Sequence, residues 1–235
     1  VSGDLDIDVS GNIGVTSYDG LAYGIFAYNI YGDTTVSSSG EITADNSYGS
    51  VRGISAASVF GDVVVGNEGD ITVQTLQGSA IGIDVNSVFS SVSVTNSGDI
   101  SVTSAQSGLV RGIEATAYYD VTISNSGDVS ATSYSGGSAQ AIRAIATYGY
   151  ADITTSGELS ATSTFSNAIG IVSIGFYGSS VTNSGDISAQ SEFGFAAGMY
   201  LYSRLGESYV DSSGDINASS DYGPAYGITA IGGSG

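Results

Sequence analysis

The chain is 235 residues long, with 35 Gly, one Pro and no Cys, His or Trp; its four basic residues, all Arg, stand against 23 Asp and Glu, a formal charge of −19. That charge repels nucleic acid and anionic membrane surfaces, and the missing residue types exclude disulfides, thiolate metal sites and imidazole chemistry. No apolar run approaches the ~18 residues of a membrane-spanning helix, so membrane insertion is not expected.

The chain opens Val1-Ser2-Gly3 with neither an initiating Met nor a signal peptide, which reads as a processed product or a segment of something longer. Residues 3 to 9, GDLDIDV, alternate strictly: Leu5, Ile7 and Val9 point one way and Asp4, Asp6 and Asp8 the other. This is a strand with one buried face. Its three carboxylates are either a cation site at the first turn or a solubilising face that discourages edge pairing.

From Gly11 onward a period takes over. The glycine of a Ser-Gly-acid phrase, with Asn12 for the acid at the first place and Glu68 for the serine at the third, recurs at Gly11, Gly40, Gly69, Gly98, Gly127, Gly157, Gly185 and Gly214, at intervals of 28 to 30 residues. A second mark, Gly before an aliphatic residue, recurs at Gly24, Gly53, Gly82, Gly112, Gly170, Gly198 and Gly227, with Ala141 in the remaining place. A fixed period of this size decides the fold before any local reading does.

Each unit carries three strand signals. One follows the Ser-Gly phrase (Ile100-Ser101-Val102-Thr103), one follows the second glycine (Ile113-Glu114-Ala115), and one precedes the next phrase (Val121-Thr122-Ile123). No segment has useful helical periodicity. Like residues recur in register, as in the columns Ile42, Ile71, Ile100, Val129, Leu159 and Ile54, Ile83, Ile113, Ile142, Ile171. Such columns are what a parallel β-solenoid requires, because each strand pairs with its equivalent one turn away at ~4.8 Å. The expected fold is all-β: one continuous parallel β-helix over residues 1–235, three strands per turn, about eight turns of ~29 residues, right-handed by the usual preference of parallel crossovers. Eight turns make a rod of roughly 38 Å.

The corner before the Ser-Gly glycine holds Asn67, Asn96, Asn125 and Asn183, either as a buried amide ladder or simply as favoured turn residues. The glycines beside them are expected to take positive φ or to lie against backbone. After the corner comes an acidic column, Glu41, Asp70, Asp99, Asp128, Glu158, Asp186 and Asp215, with Asn12 at its foot. Like charges ~4.8 Å apart repel, so Asp70, Asp99, Asp128, Asp186 and Asp215 are candidate Ca²⁺ ligands; the alternative is a row of solvated turn residues bonded to backbone. The chain calls for no other cofactor.

Tyr and Phe gather at the other two corners: Tyr18, Tyr48, Tyr134, Phe165, Phe193 and Tyr222 at one; Tyr31, Phe60, Phe89, Tyr119, Tyr148 and Tyr177 at the other. They are either exposed platforms for a sugar or another rod, or rings that pack on the turn above. Catalysis is not expected, because the acids follow the period, His and Lys are absent, and no long loop interrupts a turn to build a cleft.

The phrases NSGDISVTSA, GIEATA and DVTISNSGD resemble the repetitive passenger regions of bacterial autotransporters and related giant surface adhesins. The resemblance covers nearly the whole chain. It implies a Gram-negative source, an extracellular or cell-surface location, and a part in adhesion, biofilm or surface fibres, with no catalytic residues.

Gly3 and Gly235 hold one phase of the repeat. Neither end has a capping helix or polar loop, so Val1, Leu5, Ile7 and Val9 at one end and Tyr226, Ile228 and Ile231 at the other are the expected assembly surfaces. The partners anticipated are copies of the chain or further repeats, head to tail, and as an alternative glycans or neighbouring cells bound by an adhesin-type passenger.

Overall fold

In a computed structural model describing residues 3–233, the chain forms 24 strands and no helix, arranged as three eight-stranded sheets in which every neighbouring pair is parallel. It is a β-solenoid of eight rungs, three strands to a rung. Sheet 1 holds the strands after the Ser-Gly phrase, from Ile13–Asp19 to Ile216–Ser220. Sheet 2 holds those at the second glycine, from Ala22–Asn29 to Ala225–Ile231. Sheet 3 runs from Leu5–Val9 to Ser208–Ser212.

The register follows the sequence columns: Ile100 pairs with Ile71 below and Val129 above, and Ile113 with Ile83 and Ile142. These side chains fill the interior and are fully buried through the middle rungs. At the ends the columns open. Leu5, Ile7, Val9, Ile13 and Val15 are only partly covered below, as are Val210 and Ile216 above, because a terminal rung has one neighbour where an interior rung has two.

Unit length varies without disturbing the core. The Asn corner joins sheet 3 to sheet 1 at constant length, while the one-residue gains and losses fall in the other two corners; Ile113 lies 30 residues above Ile83, and Met199 only 28 above Ile171.

Glycine serves close approach at both repeat marks. The positive φ values belong to Gly20, Gly78, Gly108 and Gly136, none of them in the Ser-Gly series, so of the two expectations for that series the backbone contact is the one realised. A Cβ on Gly98 would run into the carbonyl of Gly69, one rung down. The second mark has a different cause. Along Val51–Ser58 the in-out alternation slips, Gly53 and Ile54 both facing inward. A Cβ on Gly53 would lie 2.5 Å from Cγ2 of Ile71 and 2.6 Å from the carbonyl oxygen of Gly82. Cγ2 is the atom that branching at Cβ adds. Where the series departs from glycine, at Ala141, the position facing it by the same 18-residue offset is Leu159, which has no branch at Cβ.

Candidate functional site

The molecule offers four features on which a function can be built: the Asn and acidic columns of one corner, the aromatic corner, the outer face of sheet 2, and the two ends.

At the Asn corner each buried amide closes its own turn and reaches the next. Asn96 Nδ2 donates to the carbonyl of Gly98 at 2.7 Å and to Asn125 Oδ1 at 2.8 Å, and Asn67 does the same to Gly69 and Asn96. Of the two readings of this corner, the buried amide ladder is the one realised. It breaks at Thr155, which accepts from Asn125 at 3.3 Å and leaves Asn183 Oδ1 buried without a partner.

The acidic column borders this ladder outside. Asp70, Asp99, Asp128 and Asp186 each accept, through Oδ1, the backbone N–H of the acidic residue one rung up, at 2.8–3.0 Å, and Asn12 does so for Glu41. Glu41 and Glu158 form no such bond to Asp70 and Asp186, since one more methylene carries the carboxylate past the N–H. The column thus supplies the acceptor for a corner N–H that has no backbone partner. Asp215 stands at its top, its N–H held by Asp186. Among the described residues no three acidic side chains converge on a single point. A second column at the opposite corner works alike, Asp4, Asp33, Asp62 and Asp120 accepting from Asp33, Asp62, Ser91 and Tyr150.

The corner between sheets 2 and 3 carries a continuous aromatic ladder. Tyr31, Phe60, Phe89, Tyr118, Tyr148 and Phe176 follow one another at centroid separations of 4.8–6.0 Å, and the Arg204 guanidinium lies 5.2 Å over the last ring. The sequence reading put Tyr119 and Tyr177 in this ladder; the structure puts Tyr118 and Phe176 there, with the other two edge-on beside them. The cause is corner length. From Ser87 to Val92 the ring is the second residue after the strand, but from Ala117 to Val121 the corner is one residue shorter and the first residue falls into the slot. Rings do pack on the turn above, yet Phe60 and Tyr31 remain more than half exposed. At the remaining corner Phe165, Phe193 and Tyr222 stack at 5.0–5.3 Å, Tyr18 meets Tyr48 edge-on, and Tyr134 stands exposed.

The outer face of sheet 2 is zoned, which periodicity did not reveal. Its middle holds three of the four arginines in ion pairs: Arg52 with Asp84 at 2.5 Å, and Glu114 between Arg111 at 2.5 Å and Arg143 at 2.7 Å. Burial pushes the Asp84 carboxyl above its ordinary value even though Arg52 opposes the shift. Above lies an apolar zone in which the outward-facing Ile169, Val172 and Ala197 are buried under Phe195, Tyr200 and their neighbours. It opens into a groove of about 460 Å³ lined by Phe195, Ala197, Tyr200, Pro224, Tyr226 and Thr229. Below lie Tyr23, Phe26 and Tyr28, with Phe26 and Tyr28 more than half exposed. The signal was present in the outward residues of each unit, but the slip at the second glycine moves them out of simple alternation.

At the ends, Val1 and Gly235 fall outside the described residues. Leu5, Ile7 and Val9 are half-buried on the lower edge; Tyr226, Ile228 and Ile231 are exposed on the upper one, with Ile228 at 47%. No family model, curated protein or solved structure matches this chain.

Proposed function

We propose that the chain is a non-catalytic structural element of a bacterial cell surface or extracellular matrix, a solenoid that stacks or continues end to end into a fibre. The observation that carries this reading is a pair of glycines. In interior rungs the rung below crowds the Ser-Gly glycine and the rung above crowds the second glycine, which gives way only at Ala141; Gly40 meets Gly11, and Gly198 meets Gly227. Gly11 and Gly227 keep the residue, although a Cβ at either would meet nothing within 4 Å. Glycine at those places serves a rung beyond, below Gly11 and above Gly227. The strand edges there are also bare among the described residues, and parallel edges of this kind recruit further strands. An acidic surface without Cys suits a large secreted scaffold whose stability comes from stacking.

Electron microscopy and light scattering of the purified chain, with Gly11→Val and Gly227→Val beside it, test the proposal. Rods lengthening with concentration, and variants that melt like the parent but stay short, support it. Monodisperse rods of eight rungs at all concentrations would reject it.

A second reading, an adhesin-type passenger that binds glycans, draws on the groove between Phe195, Tyr200 and Tyr226, where ring faces and hydroxyls without a charged group suit the apolar face of a sugar. Saturable glycan-array binding, lost in Tyr226→Ala, would favour it over the fibre.

A further inference from the structure

We propose that the outer face of sheet 2 carries an aromatic clasp that locks one copy of this chain onto the next in a single register. This rests on the end-to-end reading above and names the residues that would set the joint. Ile25 and Ile228 belong to one inward column, each paired through the sheet with the isoleucine or methionine of its neighbouring rung. A second copy that continues that column sets its Ile25 above Ile228. The same offset then sets its Tyr23 above Tyr226, its Phe26 above Thr229 and its Tyr28 above Ile231, because Tyr23 and Tyr226 share one outward column and the others follow three and five residues on in both strands.

The distribution of side chains on this face supports the joint. From the second rung to the sixth the outward columns mix polar groups such as Arg52, Asp84 and Glu114 with aliphatic ones such as Ile81, Ile145 and Ile169, and hold no ring. Aromatic rings return only at the extremities: Tyr23, Phe26 and Tyr28 in the first rung, Tyr200 and Tyr202 in the seventh, Tyr226 in the eighth. Phe26, Tyr28, Tyr226 and Ile231 are 44–59% exposed, and each lacks the neighbour that an interior rung would supply. Stacking makes these zones contiguous and turns the open groove at Tyr226 into one closed by the next copy's rings.

The other faces do not compete for this role. At the same joint sheet 3 brings Asp211 beneath the next copy's Asp8, a like-charged pair at strand spacing, and sheet 1 offers only small residues, Asn217 and Ser219 below Gly14 and Thr16. Side-chain attraction is therefore concentrated on sheet 2 and the core, while the strand edges of all three sheets pair, and only one rotation of the rod satisfies all of these.

The test uses assembly of the whole 235-residue chain followed by scattering and microscopy. Phe26→Ser with Tyr28→Ser should raise the concentration needed for filaments by about tenfold, while the control Phe89→Ser with Tyr148→Ser, which removes comparably exposed rings from middle rungs, should leave it unchanged. The chain has no cysteine, so pairs can be introduced cleanly. Phe26→Cys with Thr229→Cys should cross-link into intermolecular ladders on oxidation, and Tyr28→Cys with Thr229→Cys, two residues out of register, should not. Filaments unaffected by the Phe26/Tyr28 change, or equal cross-linking by both cysteine pairs, overturn the clasp and leave the fibre standing. No oligomer from the unaltered chain overturns the fibre itself and the clasp with it.

Discussion

Asp99 Oδ1 accepts the backbone N–H of Asp128, one rung up the rod, at 2.9 Å. A carboxylate in the middle of an acidic column thus acts as a hydrogen-bond acceptor first and a charge second. Asn can make the same bond, as Asn12 does. We expect Asp99→Asn to hold or slightly raise the urea midpoint, since it keeps the acceptor and removes repulsion from Asp70 and Asp128. Asp99→Ala should cost roughly 0.5–1 kcal/mol. Asp99→Glu should behave like Ala, as Glu41 and Glu158 do not reach. The same series addresses Ca²⁺: with one oxygen of each Asp already bonded to backbone, chelation at fixed ionic strength should leave the melting temperature of the single rod unchanged. A fall on chelation that Asp99→Asn abolishes would establish a bridging cation instead.

The Asn ladder has a gap that can be filled. Thr155 interrupts it and Asn183 Oδ1 is left buried without a donor. Thr155→Asn would present Nδ2 to that oxygen while accepting from Asn125, and should stabilise by about 1 kcal/mol. Asn96→Ala breaks the ladder at its centre, leaving the Gly98 carbonyl and Asn125 Oδ1 without their donor, at a cost of about 2–3 kcal/mol. Denaturant midpoints for the two should move in opposite directions; a loss in both would show that the ladder is not what holds this corner.

Ala141 and Leu159 hold the two places that Gly53 and Ile71 hold three rungs below, and we expect them to compensate each other. Leu159→Ile restores the β-branch that glycine accommodates elsewhere in the column and should clash with the Ala141 methyl, destabilising by about 1–3 kcal/mol. Adding Ala141→Gly should recover most of that loss, and the coupling is read from a double-mutant cycle. Additive effects would break the proposed link.

Asp152 is a small electrostatic liability. Partial burial, with the Asp120 carboxylate as a secondary cause, raises its carboxyl above the ordinary 3.8. A folded-state value above the unfolded one means that the native state binds the extra proton, so stability falls as pH rises from about 3.8 through the folded value and stays reduced above it. We expect Asp152→Asn to be more stable than the parent at pH 7, with the difference vanishing below pH 3.8. An equal gain at both ends of that range would place its origin outside ionisation.

End-to-end assembly should respond to salt. The joint sets Asp211 against the next copy's Asp8 on a chain of net charge −19, and ~0.15 M salt screens charges beyond about 8 Å. Filament growth followed by scattering should accelerate between ~0.01 and ~0.3 M NaCl, and Asp8→Asn with Asp211→Asn should flatten that dependence. Growth that slows with salt would contradict this arrangement of the joint.

Much of this molecule is legible in its sequence. The 29-residue period, the inward columns that contain Ile100 and Ile113 and the three strands per rung follow from sequence alone, because in a solenoid each residue's main neighbour is its own equivalent one unit away; the Asn column was legible too, but not whether its amides bond to one another. Periodicity expresses what every rung shares. It does not express what one rung does to the next through a particular atom, or where a corner of altered length delivers its side chain. That Gly53 is glycine because of Cγ2 of Ile71, that Asp99 holds the N–H of Asp128, and that Tyr118 rather than Tyr119 joins the ring ladder all depend on distances between rungs. The zoning of sheet 2 was hidden for a related reason. At the second glycine two successive residues face inward, so counting by twos assigns Ile169 and Val172 to no common face, and only the folded strand brings them to one surface.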